Sequence, residues 1–262
     1  MRRFLGQFCV FAAFLTACMP DSAHSTNRAD AIGSTSLCAD SYLITLAPER
    51  AQALSWQAGS PLSTANPKMN ALPRLWPSRE VLAQTNLSLL TGPGDATFGR
   101  AEAVSLQWGE DFEAVANNAE KIAERFQIDV SDLIQQIERL DTLSKPTHPV
   151  RILYLSRSGG SAGPGTFVDA AIRAAGGTNV NETMGWHTPA VERILQFEPD
   201  LIVTSFFGSD YAGVSDRAVR HSALRRYLAA RPTLEIPGKL WPCAGPGLID
   251  ATQRINAAIL AL

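Results

Sequence analysis

The stretch Ser156 to Thr166, SRSGGSAGPGT, carries two catalytic spacings at once. Gly160 to Thr166 fits the G-x-x-x-x-G-x pattern of a phosphate-binding loop, and Gly159 to Gly163 spells G-x-S-x-G, the nucleophile elbow of serine hydrolases. A phosphate loop needs lysine directly after its second glycine to neutralise phosphate charge, then Ser or Thr for magnesium. Thr166 stands in the lysine's place and Phe167 follows, so the charge chemistry of nucleotide hydrolysis is missing. An elbow serine sits on a tight turn that runs straight into a helix, whose amides complete the oxyanion hole. Gly163-Pro164-Gly165 separates Ser161 from the helix that begins at Thr166 in the sequence pattern. The chain order Ser161, Asp200 or Asp210, then His221 is formally that of a triad, which keeps an exported serine esterase acting through Ser161 as the alternative reading. Otherwise the glycines let backbone approach something bulky, and the next helix offers N-terminal amides to a polar or anionic ligand.

Metal capture has little to draw on. His24, His148, His187 and His221 stand singly, with no i, i+4 pair, and no metal site or cofactor is implied. His187, beside Trp186, is either a ligand contact or an exposed loop histidine.

The elements that must position these residues alternate. Ser34 to Leu37 opens a buried segment, Asp40 to Leu46 reads as helix, and Ala51 to Trp56 as strand. Asn86 to Thr91 is a short apolar run stopped by Gly92-Pro93-Gly94, as for a buried parallel strand ending in a loop. Phe112 to Phe126 and Val130 to Leu143 place apolar residues at helical spacing, and Lys145 to Pro149 is the best internal boundary. The alternation then restarts: strand Val150 to Leu155, the glycine-rich loop, and helix Thr166 to Ala175. Helix Pro189 to Phe197, strand Asp200 to Ser205, a helical Leu224 to Ala230 and a final helix Leu248 to Leu262 complete it. Strands separated by helices imply parallel sheets. Glu80-Val-Leu-Ala-Gln before one strand echoes Glu192-Arg-Ile-Leu-Gln before another, as two similar lobes would.

The amino terminus sets a compartment. Arg2 and Arg3, an apolar run from Phe4 to Leu15 too short to span a bilayer, and Leu15-Thr-Ala-Cys18 read as a secretion signal. The L-T-A-C ending resembles the lipobox of bacterial lipoproteins, which implies cleavage before Cys18 and lipidation of that residue. Ser22 to Gly33 is polar and suits a flexible tether. With 23 basic and 25 acidic residues, the chain carries no basic stripe for nucleic acid. Cys9 falls in the signal, which leaves Cys38 and Cys243 in the folded part. An exported chain can form a disulfide, but the sequence leaves open whether these two meet.

Three segments of the C-terminal half, YLSRSGGSAGPGTFVDAAIRAAGGTNV, VERILQFEPDLIVTS and LWPCAGPGLIDA, resemble the periplasmic substrate-binding proteins of ABC importers for vitamin B12 and ferric siderophores. The N-terminal half joins the likeness through SLCADSYLITL and the helical stretch before Pro146. The resemblance implies two Rossmann-like α/β lobes with mainly parallel sheets, bridged by a single long helix, and no catalysis. It divides the chain into a signal (1–18), a tether (19–33), an N-terminal lobe (34–127), an interlobe helix (128–146) and a C-terminal lobe (147–262). It further implies a monomer in the periplasm, anchored by lipidated Cys18, that takes a ferric siderophore or corrinoid between its lobes and hands it to the permease. Haem, which commonly takes an axial Tyr or His, stays open through Tyr154, Tyr211 or His187. The N-lobe wall would draw on Ser36, Leu37, Cys38, Trp56, Gly92, Pro93 and Asp95. The C-lobe wall would draw on Arg157, Gly160, Thr166, Trp186, Phe206, Phe207, Trp241 and Cys243. Glu192 occupies the family's permease-docking slot in the C-lobe, and Glu80 is its N-lobe counterpart.

Overall fold

The computed structural model describes residues 31–94, 103–206 and 217–262. The signal with Cys18, most of the tether, Asp95, Phe207 and Tyr211 lie outside the described residues.

The chain enters its first sheet through β1 (Ile32–Ser34), all three residues buried, so the fold begins two residues inside the 19–33 stretch read as tether. Ser36 accepts a hydrogen bond from the Ala39 amide at 3.2 Å and thereby starts α1 (Leu37–Leu46). A 3-10 turn at Pro48–Arg50 delivers β2 (Ala51–Ser55), and β3 (Arg74–Leu75) adds to its outer edge. Ser78 caps α2 (Arg79–Gln84), which returns to β4 (Ser88–Thr91), and β5 (Ala103–Ser105) closes the sheet. The order is β3-β2-β1-β4-β5 with every pairing parallel. Strands buried on both faces, such as β4, explain why Ser88–Thr91 reads as a continuous run rather than an alternating one.

Asp111 caps α3 (Phe112–Phe126), and Gln127, in the left-handed region with φ 54°, turns the chain out of it. The Asp129 carboxylate accepts from the Ser131 amide and hydroxyl, so α4 (Ser131–Arg139) starts late and tightens into a 3-10 turn at Leu140–Thr142. The crossing helix therefore fills only part of the expected 128–146 span. The rest is extended chain pinned to the second lobe, where Asn256 donates to Ser144 O at 2.8 Å and Lys145 to Ala174 O at 2.7 Å.

The second lobe holds β6 (Val150–Ser156), β7 (Ser161–Ala162), α5 (Phe167–Ala174), β8 (Gly177–Asn179), β9 (Trp186–His187) and α6 (Val191–Gln196). After these come β10 (Leu201–Ser205), α7 (Arg217–Arg220), α8 (Ser222–Ala229), β11 (Thr233–Ile236) and α9 (Gly247–Leu260). Its sheet runs β11-β10-β6-β8, all parallel, and β7 pairs with β9 antiparallel as a separate two-stranded ladder. The strand order β2-β1-β4-β5 of the first lobe and β8-β6-β10-β11 of the second are the same topology. The sequence echo thus marks equivalent elements. Glu80 and Glu192 are exposed at the second position of α2 and α6, and two residues on, Leu82 and Ile194 are buried against the strands.

Each sheet has a small core of its own on one face. Ala53, Leu75, Leu82 and Leu89 pack in the first lobe, and Leu153, Leu155, Ile194 and Ile202 pack in the second. The main core runs without a break from Ile32 and Leu43 through Ile122 and Ile152 to Ile255. An apolar interface this continuous couples the lobes, whereas small polar interfaces leave domains free to move.

Asp40, buried in α1, accepts from Ser34 Oγ, from the Ser55 amide at 2.9 Å and from Ser55 Oγ. Burial nonetheless holds its pKa above the ordinary carboxylate range, against the opposing Ser34 and Ser55 hydrogen bonds and the Arg74 charge. The folded state then binds this proton more tightly than the unfolded chain does. Its contribution to stability is complete below the unfolded pKa and is lost as pH rises through the folded one. Asp40→Asn is expected to remove that fall from the curve of unfolding midpoint against pH. A variant whose curve parallels the parent's across the acid range would refute the assignment.

Candidate interlobe binding site

Loops at the carboxyl ends of both sheets converge on a cavity of about 490 Å³, the place where open α/β sheets hold ligands. The first lobe contributes Ser36, Leu37 and Cys38 from the start of α1, Gln57 and Leu62 from beyond β2, and Trp108 from beyond β5. The second contributes Tyr154 of β6, Phe167 at the start of α5, Trp186 of β9 and Phe206 at the exit of β10. Gly238 and Trp241 to Cys243 follow β11.

The second lobe's wall is a packed set of rings. Tyr154 meets Trp186 and Trp241 edge to face at 6.1 and 5.9 Å between centroids, and Phe167 lies 5.0 Å from Trp186 and 6.1 Å from Trp241. Such contacts fix ring orientation before any ligand arrives. Burial pushes the Tyr154 phenol far above its ordinary pKa, against an opposing hydrogen bond with Ser205, so it stays neutral. Beside this chamber lies a second of about 380 Å³, sharing Tyr154, Trp186 and Phe206 and lined otherwise by polar groups: Ser156, Ser158, Ser161, His187 and Thr188, with Gly160. Neither chamber is lined by Asp, Glu, Lys or Arg among the described residues. Nor do three His, Cys, Asp or Glu side chains come together as a metal site among them.

Cys38 and Cys243 form a disulfide with Cα atoms 5.5 Å apart, answering what the sequence left open. It joins the first turn of α1 to the loop before α9, with both residues on the cavity wall. Tyr42 reinforces the join, its hydroxyl lying 3.5 Å from both Val115 O and Ala244 O.

Of the residues expected at the site, Ser36, Leu37, Cys38, Trp186, Phe206, Trp241 and Cys243 line the main chamber and Gly160 the second. Others are not among the lining residues of either chamber. Trp56 is 45 % exposed and stacks on Trp76 at 4.9 Å, because β2 and β3 end in register there. Gly92 and Pro93, just past β4, are not among the lining residues of either chamber. Arg157 ties β6 to its neighbours through its main chain, its amide donating to Ser205 O at 3.1 Å and its carbonyl accepting from Ala218. Thr166 is consumed as the cap of α5, donating to Gly163 O and accepting from the Asp169 amide, and it is the next residue, Phe167, that reaches the cavity. Gln57, Leu62, Trp108 and Phe167 were missed, while Tyr154 and His187, named only in connection with haem, line the chambers. Trp108, three residues past β5 and 58 % exposed, carried the one usable signal, an aromatic just beyond a strand end.

Ser161 is buried, donates to Tyr154 O at 2.8 Å and accepts from Asn181 Nδ2 at 3.0 Å. Neither partner can take a proton from it, so the hydroxyl fastens β7 in place, and among the described residues no general base is hydrogen-bonded to it.

No family model and no curated protein matches the sequence. Solved structures do. The periplasmic heme binding protein HutB of Vibrio cholerae superposes with a TM-score of 0.67 at 18 % identity, over 87 % of this chain and 98 % of that one. The periplasmic vitamin B12 binding protein BtuF of the same organism gives 0.63 at 16 %, over 88 % and 96 %. Helicobacter pylori CeuE with Ni(II) bound gives 0.60 at 14 %, over 87 % and 83 %. This chain therefore has the two-lobe α/β fold found in periplasmic binding proteins such as those for vitamin B12 and heme.

Proposed function

We propose that this chain is a periplasmic solute-binding protein that holds a chelate or macrocycle between its lobes and delivers it to an ABC permease. The observation that carries this reading is the ring-lined cavity at the carboxyl ends of both sheets, with walls from both lobes. The fold shared with binding proteins for B12 and heme supports it. Ser36, Leu37, Cys38, Trp186, Phe206, Trp241 and Cys243 contact the ligand in this proposal, with Gly160 at its polar end. Glu80 and Glu192 meet the permease: they are exposed at equivalent helix starts, one per lobe, as a docking pair requires. Lipidated Cys18 holds the chain to the membrane, and the polar stretch after it serves as tether.

Calorimetric titration of the full chain in detergent with cobalamin, a panel of ferric siderophores and haem is the direct test. Saturable one-to-one binding of one of them is expected. Charge reversal at Glu80 and Glu192 together should leave that affinity unchanged and abolish capture by the solubilised permease. Silence across the panel from folded protein would defeat the reading.

A further inference from the structure

The two chambers meet at three rings. Among the described residues, Tyr154, Trp186 and Phe206 line both the main chamber and the polar one beside it. Two of the three are fixed by their neighbours. Tyr154 is 2 % exposed and packs against Trp186 and Trp241, while Trp186 pairs with Ala162 in the β7–β9 ladder and rests on Phe167.

Phe206 is placed by other means. Its backbone lies in the left-handed region with φ 70°, a conformation that costs an ordinary residue free energy and persists only where the surroundings enforce it. The ring lies against the bare backbone of Gly238: a Cβ there would come within 2.4 and 2.6 Å of the Phe206 ring carbons Cε1 and Cδ1, and 3.0 Å from Leu62 Cδ2. Gly238 is not at positive φ, so what this position requires of glycine is the missing side chain. Leu62 of the first lobe and Gly238 of the second both line the main chamber, so the ring is seated where the lobes meet. Because Phe206 borders both chambers, a group that pushes its ring off Gly238 drives it into ligand space.

We infer that Phe206, seated on Gly238, is the specificity-determining residue of the cleft: its ring divides the main chamber from the polar one and limits how far a ligand extends from the first into the second. Gly238 is its positioning residue. This rests on the reading of the cleft as the ligand site.

Titration of the full chain with a compact and an extended member of each ligand class reads that limit: dicyanocobinamide and cyanocobalamin, ferric acetohydroxamate and ferrichrome, haemin and its bis-imidazole complex. Phe206→Gly removes the ring while glycine accepts the same φ, so the backbone path is kept. In whichever class binds, this variant should raise the affinity of the extended member relative to the compact one by at least about tenfold. Gly238→Ala should weaken the compact member by roughly tenfold in the parent, and by less than about threefold in the Phe206→Gly background, where no ring is left to displace. An unchanged ratio in Phe206→Gly overturns the inference, and so does an equal loss from Gly238→Ala in both backgrounds. If Gly238→Ala fails to fold, the ratio measured with Phe206→Gly decides alone. Absence of binding by every probe defeats the underlying reading of the cleft, an outcome distinct from binding with an unaltered ratio.

Discussion

Replacing Cys38 and Cys243 together by serine is expected to lower the melting temperature by about 5–15 °C. The bond closes a sequence separation of 205 residues, so its removal releases a large part of the unfolded chain's conformational freedom. Such losses typically amount to roughly 2–4 kcal/mol, and at this chain length each kcal/mol moves the midpoint by about 2–4 °C. A local effect adds to the global one. Cys243 and Ala244 both sit at positive φ, 57° and 48°, a region that costs non-glycine residues about 1–3 kcal/mol each and persists only where the surroundings enforce it. The disulfide and the Tyr42 contact are what enforce it. Without the bond the Trp241–Cys243 wall relaxes and ligand affinity falls with stability. Thermal unfolding of parent and double variant, with the parent also measured under reductant, gives the answer. Midpoints agreeing within about 2 °C would show that packing of α1 against the loop suffices by itself.

Gly163→Ala is expected to destabilise by about 3 kcal/mol or more, at the upper end of what overpacking produces. A Cβ on Gly163 would overlap the Thr183 carbonyl oxygen, with Asn181 O 3.0 Å away. The obstacle is backbone and cannot swing aside. The close approach is itself pinned: the Gly163 amide donates to Gly185 O at 3.0 Å, the Gly185 amide to Pro164 O at 2.8 Å, and Asn181 reaches Ser161. Adding one methyl group therefore forces the β7–β9 ladder apart and carries Trp186 and His187 away from both chambers. Urea unfolding should show a lower midpoint at unchanged slope, and a midpoint equal to the parent's would mean that the loop has room the geometry denies. The last glycine of the apparent G-x-S-x-G elbow is thus needed for packing, which its sequence pattern alone does not reveal.

The strands and helices legible in the sequence were those with enough buried surface to leave a pattern. Val150–Ser156 and Leu201–Ser205 are buried almost throughout, α3 buries one face, and α5 is buried all round from Phe167 to Ile172. Among the strands that were not read, β3, β5, β8 and β11 are short, and β8 and β11 are half exposed. Their residues carry no apolar run, and only pairing with an interior neighbour makes them strands. The ends of the crossing segment were set by particular groups, the left-handed Gln127 and the Asp129 carboxylate, rather than by periodicity.

By itself the sequence determined the alternation of strand and helix and the repeated lobe, because apolar period and turn residues are local properties, whereas Ser36, Leu37, Cys38, Trp241 and Cys243 became cleft residues only through the family resemblance. Tertiary structure alone decided that Cys38 meets Cys243, that Trp56 turns to Trp76, that Thr166 is spent on a cap while Phe167 faces the cavity, and that the chambers hold no charged lining among the described residues. Each depends on which distant segments arrive at the same place and on which hydrogen bonds are already satisfied there, and neither is encoded in the spacing of residues along the chain.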